Sequence, residues 1–474
     1  MTGLLPDGLR PSYLHLRAAP DPLALFRGLY DGQHHRFLYE SRGERGGRGR
    51  YSFLGGRPLA IFRSRDRRIE IERDGRKLVL DADPLSVLKE MLTGGVECLP
   101  IATFPGGAVG YLGYDLVHRL VPVPGGERDD LGLPDAQFLF PGEVVIVDHL
   151  DEVVHVVVYG TADERDRCNE IGALARRSAA AVRVERDAAA TADPDDGPEA
   201  FRTSPAAGGF RESVRRAKDY IRQGEIYQVV LSQRFDFPLR ASPLAIYAAL
   251  RRENPSPYLY LLDFDGMQLA GSSPEVLVKL TGRRAVTRPL AGTRPRGATP
   301  ERDASFEREL RQDPKERAEH VMLVDLARND LGRVCRVGSV TVDEFLEVER
   351  YAKVMHLVSN VEGRLRDDRD AFDLLAATFP AGTVSGAPKV RAMQIIRELE
   401  RFRRGPYAGA IGYFGFHGDM DMCIAIRTLL AHRGRGYLQA GAGIVADSDP
   451  DAEQAEIWNK ARGTFRALAR AGTG

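Results

Sequence analysis

Near its C-terminus the chain carries two carboxylates and one ammonium at spacings that could do chemistry together. In residues 439–463, QAGAGIVADSDPDAEQAEIWNKARG, Glu453, Glu456 and Lys460 stand at i, i+3 and i+7, on one face of a helix. Carboxylate oxygens are the ligands a hard divalent cation takes. The ammonium, with backbone N–H groups of a turn at Gly441, Ala442 and Gly443, suits an anionic substrate. The same pattern also suits a solvated face with an i,i+4 Glu–Lys pair. Glu316, Glu319 and His320 add a second cluster on a long helix over 305–331. His356 lies among apolar residues of a strand over 351–362, where a histidine serves as a proton carrier or as a hydrogen-bonded core residue. FPAGTVSGAPK, 379–389, places small residues before a helix over 390–399, which makes an anion cradle.

Other elements must position these groups. Asp449-Pro450 reads as an N-cap with proline at the first helical position, and Ile457, Ala461 and Phe465 form the face that docks the helix. A strand over 226–235 sets Gln228, Val230, Ser232 and Arg234 on one side. Strands over 269–272 and 276–279 flank Ser273-Pro274-Glu275. RPLAGTRPRG, 288–297, reads as an irregular shaped loop, and Arg427 falls in the second strand of a hairpin over 409–416 and 421–430. In the N-terminal part a helix over 23–30 precedes a strand over 36–39 that Glu40-Ser41 ends. An arginine- and glycine-rich surface loop over 42–50, strands at 51–54, 59–63, 69–72 and 77–80, and a glycine-rich turn region over 108–114 follow. A hairpin joins strands at 144–148 and 153–159, a helix covers 163–181, and a linker covers 185–209. This divides the chain into an N-terminal region, 1–200, and a second region, 210–474, interwoven in space.

The 474 residues carry 67 basic and 67 acidic side chains, so no global charge marks the chain for nucleic acid or an acidic membrane. No apolar run reaches transmembrane length and no signal-peptide pattern opens the chain. Cys98, Cys168, Cys335 and Cys423 lie far apart, which argues against a zinc site or disulfide framework and fits a reducing cytoplasm.

The ordered runs GEIYQVVLSQRF, NPSPY, GSSPE, RPLAGTRPRG, AEHVMLVDLARNDLGRV, VMHLVSNVEG, FPAGTVSGAPKVRAMQII, GAIGYF, IAIRT, QAGAGIV and EIWNKARG resemble the chorismate-utilising enzymes, most closely anthranilate synthase component I, over residues 36–463. The resemblance implies an α/β (α+β) fold of two antiparallel sheets packed as an orthogonal sandwich with helices outside. It implies Mg²⁺ held by Glu319 and Glu456, with Glu453 beside them, and chorismate held by Arg427, Tyr407, Lys460 and the backbone of Gly441–Gly443, with Thr383 and Gly382 lining the pocket. Glu275 matches the general acid for loss of the C4 hydroxyl when ammonia attacks C2, and His356 the histidine tied to pyruvate elimination.

Relatives that add water carry lysine where this chain has Gln228, and aminodeoxychorismate synthases carry lysine where it has Ala291. That pair favours anthranilate synthase, the first step of tryptophan biosynthesis, over an enzyme that releases aminodeoxyisochorismate or aminodeoxychorismate. A tryptophan-binding module without activity is the reading outside enzymes, and the retained acidic residues speak against it. The resemblance also implies feedback inhibition by tryptophan at Glu40, Ser41, Pro255 and Tyr258, and ammonia from a separate glutamine amidotransferase subunit in a hetero-oligomer, while the balanced charge and the lack of a long apolar run give no reason to expect a nucleic acid or membrane partner.

Overall fold

Valine-, isoleucine- and aromatic-rich runs pair into antiparallel strands. The computed structural model describes residues 4–42, 48–101, 103–181, 201–205, 207–351 and 354–472. The longest pair sets Arg48–Arg65 against Ala136–Asp148. The separate strands expected at 51–54 and 59–63 are one strand of 18 residues, with a register shift between Pro58 and Ala60. Pro58 has no N–H for the ladder, so it bends the strand as a bulge instead of ending it.

Two arms lead away from this pair. One passes through Arg36–Arg42, Tyr258–Asp263, Met267–Ser273, Thr428–His432 and Arg435–Ile444 to Gln228–Pro238. The other passes through Gly107–Leu112, Ala410–Gly415, Met420–Ile424, Val276–Thr281 and Arg284–Thr287 to Val354–Arg364. The arms meet over an apolar cluster that takes Phe37, Leu262 and Leu430 from the first and Tyr111, Ile411 and Cys423 from the second. Tyr39 and Tyr258 of the first arm donate to the Gly412 carbonyl at 3.0 Å and to Asp421 at 2.8 Å in the second. The strands are thus joined in one hydrogen-bonded network, where two separate sheets were expected, because the bent central pair feeds both arms. On the outside, helices Ala207–Arg222, Pro243–Glu253, Lys389–Glu400 and Pro450–Ala471 cover the larger part of the core. No described helix is long and apolar enough to cross a membrane, and the four cysteines are free.

Several elements depart from the sequence reading. The region over 108–114 is the fully buried strand Gly107–Leu112. The strand expected to end at Glu40-Ser41 continues to Arg42, and residues 43–47 of the arginine-rich loop lie outside the described residues. Most of the expected linker, 185–200 and 206, also lies outside them, while Arg202–Ser204 pairs with Arg234–Asp236. The long helix over 305–331 is two, Pro300–Gln312 and Pro314–Gly332. Pro314 forces Asp313 into extended backbone, and the Asp313 carboxylate then caps the N–H groups of Lys315 and Glu316. The same Asp-Pro step opens Pro450–Ala471, where Asp449 caps Asp451 and Ala452 as expected.

Candidate active site

Pro274 breaks the passage from Met267–Ser273 to Val276–Thr281 and leaves Glu275 at the break. The Glu275 carbonyl accepts from Ile424 N at 3.0 Å, which pins its backbone. Thr383 Oγ1, from the short turn Gly382–Val384, donates to Glu275 Oε1 at 2.9 Å. The residue is 6% exposed. Burial pushes its carboxyl up to about 8, against the opposing pull of Thr383, Arg427 and Lys460. Glu275 is therefore a carboxylic acid that keeps its proton at neutral pH.

His356 has the opposite displacement. The stretch over 288–297, expected to be irregular, contains the strand Leu290–Pro295, which sets Thr293 opposite His356. Its ladder skips Gly292, at φ +67°, a bulge that turns the Gly292 carbonyl onto His356 Nδ1 at 2.9 Å. A carbonyl only accepts, so the ring proton is on Nδ1 and the Nε2 lone pair is free of it. Burial, and then Arg427, push His356 down to about 4, so the ring is neutral at pH 7.

Arg427 does not lie within a strand as expected. It occupies the gap between Met420–Ile424 and Thr428–His432 at φ +50°. Its guanidinium makes no side-chain hydrogen bond or ion pair among the described residues, and burial lowers its pKa while Glu275 raises it. Gly441–Gly443, expected as a turn, belong to the strand Arg435–Ile444. Val230 N bonds Ser385 O and Ser232 N bonds Glu400, so both point away from that strand. Their partners Gly443 and Gly441 are then the non-hydrogen-bonded positions, with N–H groups facing away from the 228–238 strand. Ala442, paired with Leu231, spends its N–H on the ladder and its methyl on the core, so it is no donor to a ligand. The glycines are required by close approach. A Cβ on Gly441 would stand 2.5 Å from the Tyr407 hydroxyl, and one on Gly443 2.6 Å from Gln228 Nε2. Gly382 mainly lets its turn pack on Leu326, where a Cβ would meet a methyl at 2.3 Å.

Lys460 completes this side. Its Nζ donates to the Gly441 carbonyl at 3.0 Å and pairs with Glu456 at 2.7 Å. Ile457, Ala461 and Phe465 are buried beneath it, as the periodicity requires. Burial raises the Glu453 pKa and so does the charge of Glu456, as expected for acids crowded at one place. Glu319, on Pro314–Gly332, accepts from Gln228 Nε2 at 2.9 Å. Among the described residues no three acidic, histidine or cysteine side chains converge into a ready metal cluster. His320, grouped with Glu316 and Glu319 in the sequence, is wholly buried and bonds Ser359 Oγ at 2.7 Å, a core role.

Two cavities flank Glu275. One, of about 40 Å³, is lined by Glu275, Thr383, Gly382 and Asp330, the last paired with Lys389 at 2.6 Å. The other, of about 250 Å³, is lined by Ser41, Pro257, Tyr258, Arg288, Glu349 and Tyr351 among others. Ser41 and Tyr258 are thus brought together. Glu40 alternates to the other face of its strand and is held by Tyr247 at 2.6 Å and Arg251 at 2.9 Å. Its charge is spent there, so Glu40 does not reach this cavity, and Pro257, not Pro255, forms the wall. Sequence reasoning missed Tyr351, whose ring stands 5.6 Å from that of His356 while lining this cavity. It also missed the buried pair Glu400–Arg404, whose i,i+4 spacing at the end of a helix was the available signal.

A family model for chorismate binding enzymes matches residues 34–466. The chain is 43% identical to anthranilate synthase component 1 of Acetivibrio thermocellus, over 95% of this chain and 93% of that one. It is 45% identical to the Thermus thermophilus protein of the same name, over 92% and 93%. Its structure is similar to anthranilate synthase component I from Streptococcus pneumoniae TIGR4, with TM-score 0.77 at 38% identity, covering 88% of this chain and 92% of that one.

Proposed function

We propose, for a chain that belongs to the chorismate-binding enzyme family and to its anthranilate synthase component I branch, that this site converts chorismate and ammonia to anthranilate and pyruvate. The observation that carries the reading is the pair of opposite displacements. Glu275 is held protonated and His356 is held neutral within one site. Two titratable groups driven apart by their surroundings are what separate acid and base steps need.

Ammonia adds at C2 of the ring as the C4 hydroxyl departs. Hydroxide leaves poorly, so Glu275 hands it a proton and water departs; the proton that the added nitrogen then sheds restores the Glu275 acid. His356 Nε2 then takes the C2 proton, the ring C–O bond to the enolpyruvyl group breaks, and the ring becomes aromatic; the released enolpyruvate takes up one proton, equivalent to the one His356 gained, and becomes pyruvate. Arg427, Lys460 and the outward N–H groups of Gly441 and Gly443 receive substrate carboxylate, for which a planar guanidinium fork is suited. Tyr407 closes the floor beside Gly441. Gln228 is an amide and cannot activate water as a base, and the Ala291 methyl cannot form an adduct at C2, so the nucleophile is ammonia itself. A glutamine amidotransferase partner is its source.

Glu319, Glu453 and Glu456 would hold Mg²⁺, whose preferred ligands are carboxylate oxygens; burial, and after it the neighbouring charge of Glu456, raise Glu453, and a bound cation would offset both. When bound, Mg²⁺ supplies charge neutralisation for the second substrate carboxylate. The deciding experiment is incubation with chorismate, ammonium and Mg²⁺, with and without chelator. Fluorescent anthranilate that disappears with chelation is expected. Accumulation of a non-aromatic amino product, a 4-amino product, or no turnover would each reject the reading.

Tryptophan is the inhibitor in this reading, bound in the 250 Å³ cavity against Ser41 and Tyr258. Arg288 and Glu349 pair with each other on its wall, a charge pair that matches an amino acid's carboxylate and ammonium. Tyr351 donates to Glu349 at 2.7 Å and also meets His356, so an occupant is felt at the catalytic ring. Ser41→Phe should fill the cavity, keep turnover, and raise the half-inhibiting tryptophan concentration at least about tenfold, a loss of about 1.4 kcal/mol. Unchanged inhibition in that variant would move the regulatory site elsewhere.

A further inference from the structure

Arg404 lies at the junction of three elements of the site without touching the reacting space. Its side chain is 2% exposed. It pairs with Glu400 through Nε at 2.8 Å and Nη2 at 2.6 Å. The same guanidinium donates through Nη1 to the Val384 carbonyl and through Nη2 to the Val230 carbonyl, both at 2.8 Å. Its plane covers the rings of Tyr114, at 4.6 Å, and Tyr407, at 5.6 Å. Glu400 Oε1 in turn accepts from Ser232 N at 2.8 Å and Ser232 Oγ at 2.9 Å. One buried ion pair therefore ties together the strand that carries Gln228, the turn that carries Thr383, and Tyr407.

We propose that Arg404, locked by Glu400, is the positioning residue that fixes the Gly382–Val384 turn so that the Thr383 hydroxyl stays on the Glu275 carboxyl. This rests on the reading of Glu275 as general acid. Val384 follows Thr383 directly, and Val384 O is held by Arg404. Ser385 O is held by Val230 N at 2.8 Å, and Val230 O by Arg404, which closes the loop of contacts. Arg404 makes four hydrogen bonds in a planar fork, to both Glu400 oxygens and to two carbonyls, one more than the three donors of an ammonium can make, so lysine cannot replace it. A hydrogen bond donated to the ionised form lowers a carboxyl pKa, and Thr383 opposes the burial that raises Glu275. Loosening the turn therefore has a signature that loss of folded protein does not.

The test is the pH profile of kcat for Arg404→Lys and Glu400→Gln, with Thr383→Val as reference. Arg404→Lys should move the alkaline limb up by about one pH unit, the size of one charge-assisted hydrogen bond. It should lower kcat at least about tenfold at its optimum, with KM changed less, because the lost interaction is one of placement. Thr383→Val should show the same limb shift, and the double variant should shift no further than either single one. Glu400→Gln keeps the shape and removes the locking charge, so it should shift the limb in the same direction by less. It serves as the deciding variant if Arg404→Lys does not fold. A limb that stays in place in the folded variants, with activity falling only in proportion to folded protein, overturns the positioning role. Retained amination by Glu275→Gln would instead overturn the acid assignment, and this inference with it.

Discussion

Glu275→Gln should abolish amination, by about 10²–10⁴-fold in kcat, while leaving a folded protein. The amide has nearly the shape of the acid but no proton to give to the leaving hydroxyl. In the unaltered enzyme the same group sets the alkaline limb, since Glu275 loses its proton as pH rises through about 8, and amination should fall there. Stability carries the matching signature. Burial raises the folded pKa of Glu275 from 4.5 to about 8, so the fold prefers the protonated carboxyl. The stability this contributes is fully present below about 4.5 and is lost progressively as pH rises to about 8. Glutamine does not titrate. The thermal midpoint of Glu275→Gln relative to the parent should therefore climb between pH 4.5 and 8 and level off above. Melting curves at a series of pH values, alongside chorismate consumption with ammonium, check both halves. Turnover near the parental rate, or a midpoint difference that is flat across that window, would remove Glu275 from the role of buried acid.

Much of this site was legible because helix periodicity and capping are local. Asp449-Pro450 announces its helix, and the spacing of Glu453, Glu456 and Lys460 against Ile457, Ala461 and Phe465 decides which face looks out. What the sequence hid was set by pairing over long separations. The prolines and glycines of 288–297 look like a loop until Val354–Arg364 is laid beside them, and then Gly292 is a bulge that aims one carbonyl at His356. Gly441–Gly443 look like a turn until Gln228–Pro238 supplies the other strand, whose register alone decides that Gly441 and Gly443 turn their N–H groups away from that strand and Ala442 does not. Arg427 reads as a strand residue because its neighbours are apolar, yet φ +50° takes it out of the ladder. The Asp313-Pro314 break was in plain view, carrying the same cap as Asp449-Pro450. Glu40 shows the reverse problem. Its type suits an ammonium ligand, and only the fold reveals that Arg251 and Tyr247 already hold it.

His356→Ala should separate the two halves of the reaction. Chorismate should still be consumed in the presence of ammonium and Mg²⁺, because the acid for that half is Glu275. Anthranilate should fall by about 10²–10⁴-fold, the usual range for a lost proton carrier. A ring that bears both the new amine and the enolpyruvyl ether should accumulate instead. The geometry supports this division. The Gly292 carbonyl holds Nδ1–H, Thr293 Oγ1 lies 3.1 Å from the same nitrogen, and Tyr351 packs edge-on, so the ring cannot turn and Nε2 is the atom left to accept a proton. Burial and Arg427 hold that ring neutral down to about pH 4, so it is ready as a base across the neutral range. Production of anthranilate by the parent enzyme should accordingly show no acid limb from His356 between about pH 5 and 7. Quenched reactions resolved by mass distinguish the amino enol ether from anthranilate plus pyruvate. His356→Gln, which fills more of the space His356 leaves, controls for collapse of the site. Anthranilate formed at the parental rate by either variant would show that the C2 proton leaves by another route, and that His356 holds the Gly292 bulge in shape without carrying the proton.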